Sequence, residues 1–264
     1  MPVQFAVENP VAAARPYFEI ANLELPVILN ALPRNLRALD VGCGSGVHGA
    51  ELTRILGHRV TGVDLSESSI ESARHRMQAA FVADVTRPED YPFDSGFDVI
   101  LFSDLLEHMQ DPAAVLAAHL KLLKPGGHVL ISLPNVAIWN VRFALLFGRF
   151  RYQDTGTLDR THVRFFDRYG FRQLIASAGL EEECSRITPG VARPLVPIVK
   201  HFYRPADTAK TSNSSSIMDS APYKFYCRWM YPVERWICAL WPGLLAFQFV
   251  SLCRVAGKPA ASKH

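Results

Sequence analysis

The chain has 264 residues, 49% of them apolar, and a formal net charge of +3. That length allows one large domain with an elaboration, and that apolar share can bury a sizeable core; so small a charge, with no long basic run, argues against nucleic acid as a partner. Five cysteines without a CxxC pair, and a first stretch with no charged-then-apolar leader pattern, fit a reduced cytoplasmic protein better than a disulfide framework or zinc site. Residues 1–35 are expected to form a helical N-terminal cover, broken at Pro16, Pro26 and Pro33. Residues 36–41 (LRALDV) have the brevity and apolar content of a buried strand. The glycines of GCGSG at 42–46 then stand at alternate positions, a tight turn that brings backbone close to a ligand where a Cβ would block it. The helix expected over 47–56 points its free N–H groups at whatever the loop holds. RVTGV at 59–63 is a second strand ending in Asp64, and Ser66 caps a helix over 67–77. A third strand at 80–82 leads to Asp84. A polar turn at 90–96 precedes a fourth strand, FDVILF, at 97–102. A helix over 112–123 starts on proline and stops at Pro125-Gly126-Gly127, before a fifth strand at 128–133. Short links between alternating strands and helices predict parallel strands with right-handed crossovers.

After Pro134 the rhythm changes. A helix is expected over 136–147, a loop over 149–164, a helix over 167–178 closed by Gly179, and a sixth strand over 180–187. The uncharged run 236–253 reaches the length of a membrane span of about 18 residues. Pro242-Gly243 interrupts it and Gln248 and Ser251 lie within it, so it reads as a short helix, a turn and a seventh strand. The organisation is therefore an α/β, doubly wound, mostly parallel seven-stranded sheet in pieces: a cover at 1–35, a core at 36–189, an insertion at 190–246, the last core strand at 247–257 and a polar tail at 258–264. The insertion is basic and rich in tyrosine and tryptophan. It reads either as a lid over a lipid-linked or anionic acceptor at a membrane surface, or as a helical subdomain with solvated charges. Its polar stretch 210–220 has the composition of a disordered segment.

Gly44 to Gly49 also matches GxGxxG, with Asp64 at the spacing of a ribose-binding acid, so a nicotinamide or flavin enzyme has to be weighed. Asp40 before the glycines, Asp84 after the third strand, and Lys124-Pro125-Gly126-Gly127 before the fifth speak against it. Carboxylates at strand ends suit a cationic, zwitterionic ligand and would repel a pyrophosphate.

Five stretches in order, LDVGCGSG, VTGVDLS, FVADV, FDVILFSDLLEHMQDP and LKPGGHVLISLPN, resemble the class I S-adenosylmethionine-dependent methyltransferases, whose fold is Rossmann-like. The resemblance covers residues 36–135 and implies S-adenosyl-L-methionine as cofactor. It implies that Gly42, Gly44 and Gly46 lie along the methionine part and that Asp40 orients the ammonium group. Asp64 would accept hydrogen bonds from both ribose hydroxyls, with Leu65 packed on the adenine. Asp84 would bind the adenine amine beside the Val85 backbone, and Ser103 would close the site around the sulfonium.

Asp104, Glu107 and His108 resemble the acid-x-x-Glu-His of ubiquinone-biosynthesis O-methyltransferases. Three readings stay open: the group shapes the pocket, His108 is a general base, or the three face one way on a helical turn and hold a divalent cation. No metal is assigned. LDRTHVRFF at 158–166, with PNV at 134–136 and FGRF at 147–150, resembles a bacterial methyltransferase group with an LDRTHLRFF segment that accompanies surface-polysaccharide synthesis. On that resemblance His162 is the first candidate base and Arg160 or Arg164 binds an anionic group. The other reading is a folding motif in which Asp159 caps, Arg160 pairs with it and His162 bonds a carbonyl. The expected reaction is O-methylation of a sugar hydroxyl in a glycan or glycolipid. The alternatives are a quinone-like or other lipid acceptor, a nicotinamide oxidoreductase, and a non-catalytic protein that kept the fold. The expected partner is a small-molecule, glycan or lipid-linked acceptor, met in the cytoplasm or at the inner membrane face.

Overall fold

A computed structural model describes residues 24–191 and 225–256. Seven strands form one sheet: β1 (Arg37–Val41), β2 (Arg59–Asp64), β3 (Ala79–Val82), β4 (Phe97–Ser103), β5 (Leu123–Pro134), β6 (Leu180–Pro189) and β7 (Ala246–Val255), in the order β3-β2-β1-β4-β5-β7-β6. β1 to β5 run parallel, and β7 lies antiparallel between β5 and β6.

Side-chain alternation along the strands divides the core between the two faces of the sheet. In β4, Val99 and Leu101 point to one face and Ile100 and Phe102 to the other. Phe97 joins Ile100 and Phe102 against the expected parity because the β4–β5 register shifts between Phe97 and Val99. The Val99 face is covered by α1 (Glu24–Leu29), α2 (Val47–Leu56) and α3 (Glu67–Arg74), through Ile28, Leu52 and Ile70. α4 (Pro112–His119) and α6 (Arg168–Ser177) cover the opposite face, through Leu116 and Phe171. Between them in sequence lies α5 (Trp139–Leu146).

Several boundaries differ from the sequence expectation. The helix expected over 112–123 ends at His119, because Leu123 already pairs with Phe97 and draws Lys124 to Gly127 into β5. The helix expected over 67–77 ends at Arg74. α5 starts late because the Asn135 side chain accepts from the Ala137 N–H (3.0 Å) and holds a turn after β5. The uncharged run forms a helix, a turn and a strand: α7 (Tyr231–Leu240), α8 (Pro242–Leu245) and β7. A π-helical turn, Tyr226–Met230, leads into α7. No helix among the described residues is long and apolar enough to cross a membrane. Most of the expected N-terminal cover, the 210–220 stretch and the tail lie outside the described residues.

The insertion is tied to the start of the described chain by a buried polar contact. Tyr231 Oη donates to Glu24 Oε1 at 2.8 Å, and Arg186 of β6 approaches Glu24 Oε2 at 3.6 Å. The C-terminal ends of β1 to β5 share one edge with the beginning of β7. That edge gathers Asp40, Asp64, Ser103, Asn135 and Gln248.

Candidate active site

The loop after β1 is held by Gly42 and Cys43, whose N–H groups donate to Val63 O at 2.8 and 3.0 Å. Its three glycines serve different ends. A Cβ on Gly42 would come within 2.7 Å of Leu105 Cδ1, and one on Gly46 within 2.8 Å of Met77 Sδ, so packing excludes side chains there. Gly44 has φ +51° and a Cβ on it would meet nothing within 4 Å. Its missing side chain leaves open space that a ligand can occupy.

Asp40 and Ser103 end their strands inside this edge. Asp40 is 1% exposed, and its Oδ2 and the Ser103 Oγ are buried without a hydrogen-bond partner among the described residues. Burial first, and the nearby Asp64 charge second, push the Asp40 carboxyl up to about 7. Two buried polar atoms without partners are costly unless a ligand completes them. An ammonium group and a sulfonium fit that need, so these residues suit S-adenosylmethionine.

Asp64 is fixed by backbone. Its Oδ2 accepts from Gly44 N (2.8 Å) and its Oδ1 from Ser66 N (2.9 Å), which ties β2 to the glycine loop and leaves a lone pair on each oxygen for a ligand hydroxyl. Asp84 Oδ1 accepts from both Thr86 N (2.8 Å) and Thr86 Oγ1 (2.7 Å), a local turn that fixes the carboxylate at the sheet edge. Leu65 is 65% exposed, an open apolar surface next to these acids, whereas the Val85 side chain is buried so that only its backbone is offered.

The acceptor side follows β4. Asp104 adopts φ 53°, unusual for a residue with a Cβ, and turns its Oδ1 to accept from Gln248 Nε2 of β7. The 3-10 turn Leu106–His108 comes next. The Glu107 carbonyl accepts from Val163 N and Arg164 N, both at 3.0 Å, stitching this turn to the LDRTHVRFF loop. In that loop Asp159 Oδ1 accepts from Thr161 N (2.9 Å) and Oγ1 (2.7 Å).

Two imidazoles meet across the junction. His108 Nδ1 lies 3.1 Å from Thr161 O and His162 Nδ1 lies 3.3 Å from Thr157 O. A carbonyl only accepts, so both rings carry their proton on Nδ1 and keep the lone pair on Nε2. The rings pack edge to face at 4.8 Å, and His162 Nε2 stands 3.9 Å from Glu107 Oε1. Burial, then His108, lowers His162 to about 4, and burial lowers His108. Glu107 is buried and is raised well above the usual carboxylate range, by burial first and by Asp104 second. Burial thus disfavours charge on all three groups. One ligand atom each from Glu107, His108 and His162 lies within 4.8 Å of the others, so among the described residues these three could hold a cation. The trio expected from the sequence was Asp104, Glu107 and His108. The structure instead turns Asp104 to Gln248 and brings in His162.

The two candidate arginines are engaged with protein groups. Arg160 pairs with Asp154 at 2.7 Å, not with Asp159, and Arg164 donates to Gln110 O through Nε (3.1 Å) and Nη2 (2.7 Å). Sequence reasoning did not single out Gln248 or Asn135 as site-building residues. Asn135 Nδ2 donates to Gly243 O (3.3 Å) and Ala246 O (2.9 Å), binding α8 to the end of β5. The available signal was a bulky polar residue within an apolar run, at Gln248.

Residues 15–185 match a family described as a methyltransferase domain. The chain is 32% identical over 209 residues to a ubiquinone biosynthesis O-methyltransferase of Thiobacillus denitrificans, covering 76% of this chain and 86% of that one. A ubiquinone biosynthesis O-methyltransferase of Nitrosococcus oceani is 36% identical over 181 residues, covering 65% and 71%. Among solved structures, a SAM-dependent methyltransferase of Archaeoglobus fulgidus shares the fold with a TM-score of 0.55 at 16% identity, over 90% of this chain and 94% of that one.

Proposed function

We propose, since this chain belongs to the S-adenosylmethionine-dependent methyltransferases, that it methylates a phenolic hydroxyl on a quinone-type or other lipid-linked acceptor. The observation that carries this reading is the pair of Nε2 lone pairs beside buried Glu107, with both tautomers set by backbone carbonyls. A base lowered to about 4 is weak. It suits a phenol, which ionises at about 10, better than the less acidic hydroxyl of a sugar. The ubiquinone-directed names of the curated relatives support the same acceptor class. The sugar-hydroxyl expectation had the LDRTHVRFF resemblance as its support, and it yields here to the alternative stated with it.

S-adenosylmethionine, when bound, supplies a methyl group on an electrophilic sulfonium. Asp40 would hold its ammonium end and Ser103 would close the site around the sulfonium, while Asp64 and Asp84 would hold the ribose and adenine. His162 Nε2 takes the hydroxyl proton as the acceptor oxygen approaches in line. The His162 Nδ1–H goes on donating to the Thr157 carbonyl, and Glu107 stands beside the imidazolium that forms. Alignment on the rigid sheet edge supplies much of the rate.

A second reading has its own observation, the convergence of Glu107, His108 and His162 on one point. A divalent cation there would acidify the hydroxyl and would favour a charged Glu107.

Incubation with methyl-labelled S-adenosylmethionine and either a prenylated catechol or a glycolipid tests the acceptor. Label is expected in the catechol, and label in the glycolipid alone overturns the proposal. His162→Ala should lower turnover about 10²–10³-fold with S-adenosylhomocysteine affinity kept within about twofold. Normal turnover in that variant would move the base to His108. Loss of activity on chelation, restored by Mg²⁺ or Mn²⁺, would select the cation reading.

A further inference from the structure

Two helices of this chain are turned with their apolar side to solvent. In α7 the inward positions are Tyr231, Glu234 and Cys238, and Glu234 accepts from Tyr226 Oη at 2.6 Å. Outward apolar positions are Val233, Trp236 (65% exposed), Ile237 and Leu240 (69% exposed), with Trp229 in the turn before the helix and Trp241 after it. A water-facing helix has the reverse pattern. Along α5 and the turn after it, Phe143, Leu145, Leu146 (77% exposed), Phe147, Phe150 and Tyr152 are exposed as well.

Charge on these surfaces has a single sign. Between residues 139 and 152 the charged residues are Arg142, Arg149 and Arg151. Across 225–245 the exposed charges are Arg228 and Arg235, and the one acid, Glu234, is buried. A chain with 25 acidic residues places none on either exposed apolar stretch. Arg142 of α5, Arg168 and Arg172 of α6, its N-cap Asp167, and Gly243 of α8 line a cleft of about 400 Å³, with three cations to one acid. Arg168 and Arg172 stand in the first two turns of α6, which Asp167 caps through Gly170 N at 2.7 Å, and Arg172 lies 3.6 Å from Glu182.

We infer that α7, α8 and α5 form a docking face for an anionic lipid bilayer, with the indoles and phenyl rings in the interface and the arginines on lipid phosphates. Tryptophan flanked by arginine suits the boundary between headgroups and acyl chains, and apolar area combined with basic charge is what holds a monotopic protein there. The face lies at the edge of the sheet where Asn135 joins α8 to the end of β5, so the acceptor side opens next to the membrane. A lipid-borne acceptor would then reach the site without crossing water. That consequence rests on the acceptor reading above; the docking itself does not.

The test uses the full chain with vesicles of phosphatidylcholine, and with vesicles in which about a third of the lipid is phosphatidylglycerol. Flotation is expected with the anionic vesicles, with a blue shift of tryptophan fluorescence, and at least tenfold less with phosphatidylcholine alone. Trp236→Glu with Leu240→Glu should abolish flotation. Arg168→Glu with Arg235→Glu should weaken it at least fivefold, and a carboxylate in the first turn of α6 suits the helix dipole, so folding is kept. S-adenosylhomocysteine binding should be unchanged in both double variants, which separates this result from misfolding. Equal binding to both kinds of vesicle, or binding to neither, overturns the proposal. So does a dimer in light scattering that Trp236→Glu with Leu240→Glu disperses, since a second copy would then own the face. Docking without methylation of any lipid acceptor would sink the acceptor reading and leave the docking face standing.

Discussion

The two sides of the active edge are built differently. On the cofactor side each carboxylate lies at or just past the end of its own strand, and two are fixed by short-range contacts at the sheet edge, Asp84 by Thr86 and Asp64 by Gly44 and Ser66. On the acceptor side no short segment suffices. Glu107 needs the N–H groups of Val163 and Arg164, His108 needs Thr161, and Asp104 needs Gln248. A local site tolerates change in the rest of the fold, whereas an assembled one depends on the distant segments that meet there. On the reading proposed above, the first side holds the cofactor and the second selects the molecule that receives the methyl group.

The contrast can be broken by mutation. Asp64→Ala is the largest expected effect. It should reduce S-adenosylhomocysteine affinity by at least about 100-fold in calorimetry, through loss of charge-assisted hydrogen bonds to the ribose, while circular dichroism shows a folded chain. Unchanged affinity would remove Asp64 from the site. Asp40 comes next and works through pH. In the free protein its carboxyl keeps a proton up to about 7, and an ammonium beside it favours the charged form. Cofactor binding should therefore release a proton near neutrality and weaken about fivefold as pH falls from about 7 to 6. In Asp40→Asn, calorimetry in two buffers should show no proton release, and affinity should be low and flat with pH. The same carboxyl bears on stability with a definite sign. Its folded value lies above 3.8, so the folded state binds more protons between about pH 4 and 7, and stability is lost as pH rises through that window. The cofactor-free Asp40→Asn variant should then outlast the wild type at pH 8 in thermal melts, by on the order of 2 kcal/mol. Gln248→Leu is the smallest expected effect and the sharpest discriminator. It should cost about 1–2 kcal/mol of stability and several-fold in turnover, with cofactor affinity unchanged. If cofactor affinity fell with turnover, the two sides would not be separable.

That same contrast explains what the sequence made legible. Strand ends carrying Asp40, Asp64 and Asp84, the glycine turn and the alternation of strands and helices are local patterns, and they led to a seven-stranded α/β sheet before any coordinates. Asp104 was grouped with Glu107 and His108 because spacing alone places them on one helical face. A left-handed backbone at Asp104 and a tight 3-10 turn after it defeat that rule, and neither is written in residue type. His162 was named as a base from its own segment, but its meeting with Glu107 joins segments far apart in the chain and is invisible to periodicity. The engagement of Arg164 by Gln110 is hidden for the same reason: the partner is a carbonyl, which every residue carries.

The placement of β7 between β5 and β6 has a consequence for synthesis. Chains emerge N-terminus first, so β1 to β5 are available to pair while β7 is still to come. Until residues 246–255 arrive, β5 presents an unpaired edge and β6 has no neighbour in the sheet, the kind of exposed edge that invites association with other nascent chains. The arrival of one strand closes both edges and delivers Gln248 to Asp104 in the same event. On the reading proposed above, the residues assigned to the methyl donor are therefore in place before Gln248, which reaches the recipient's side with the last of the described strands.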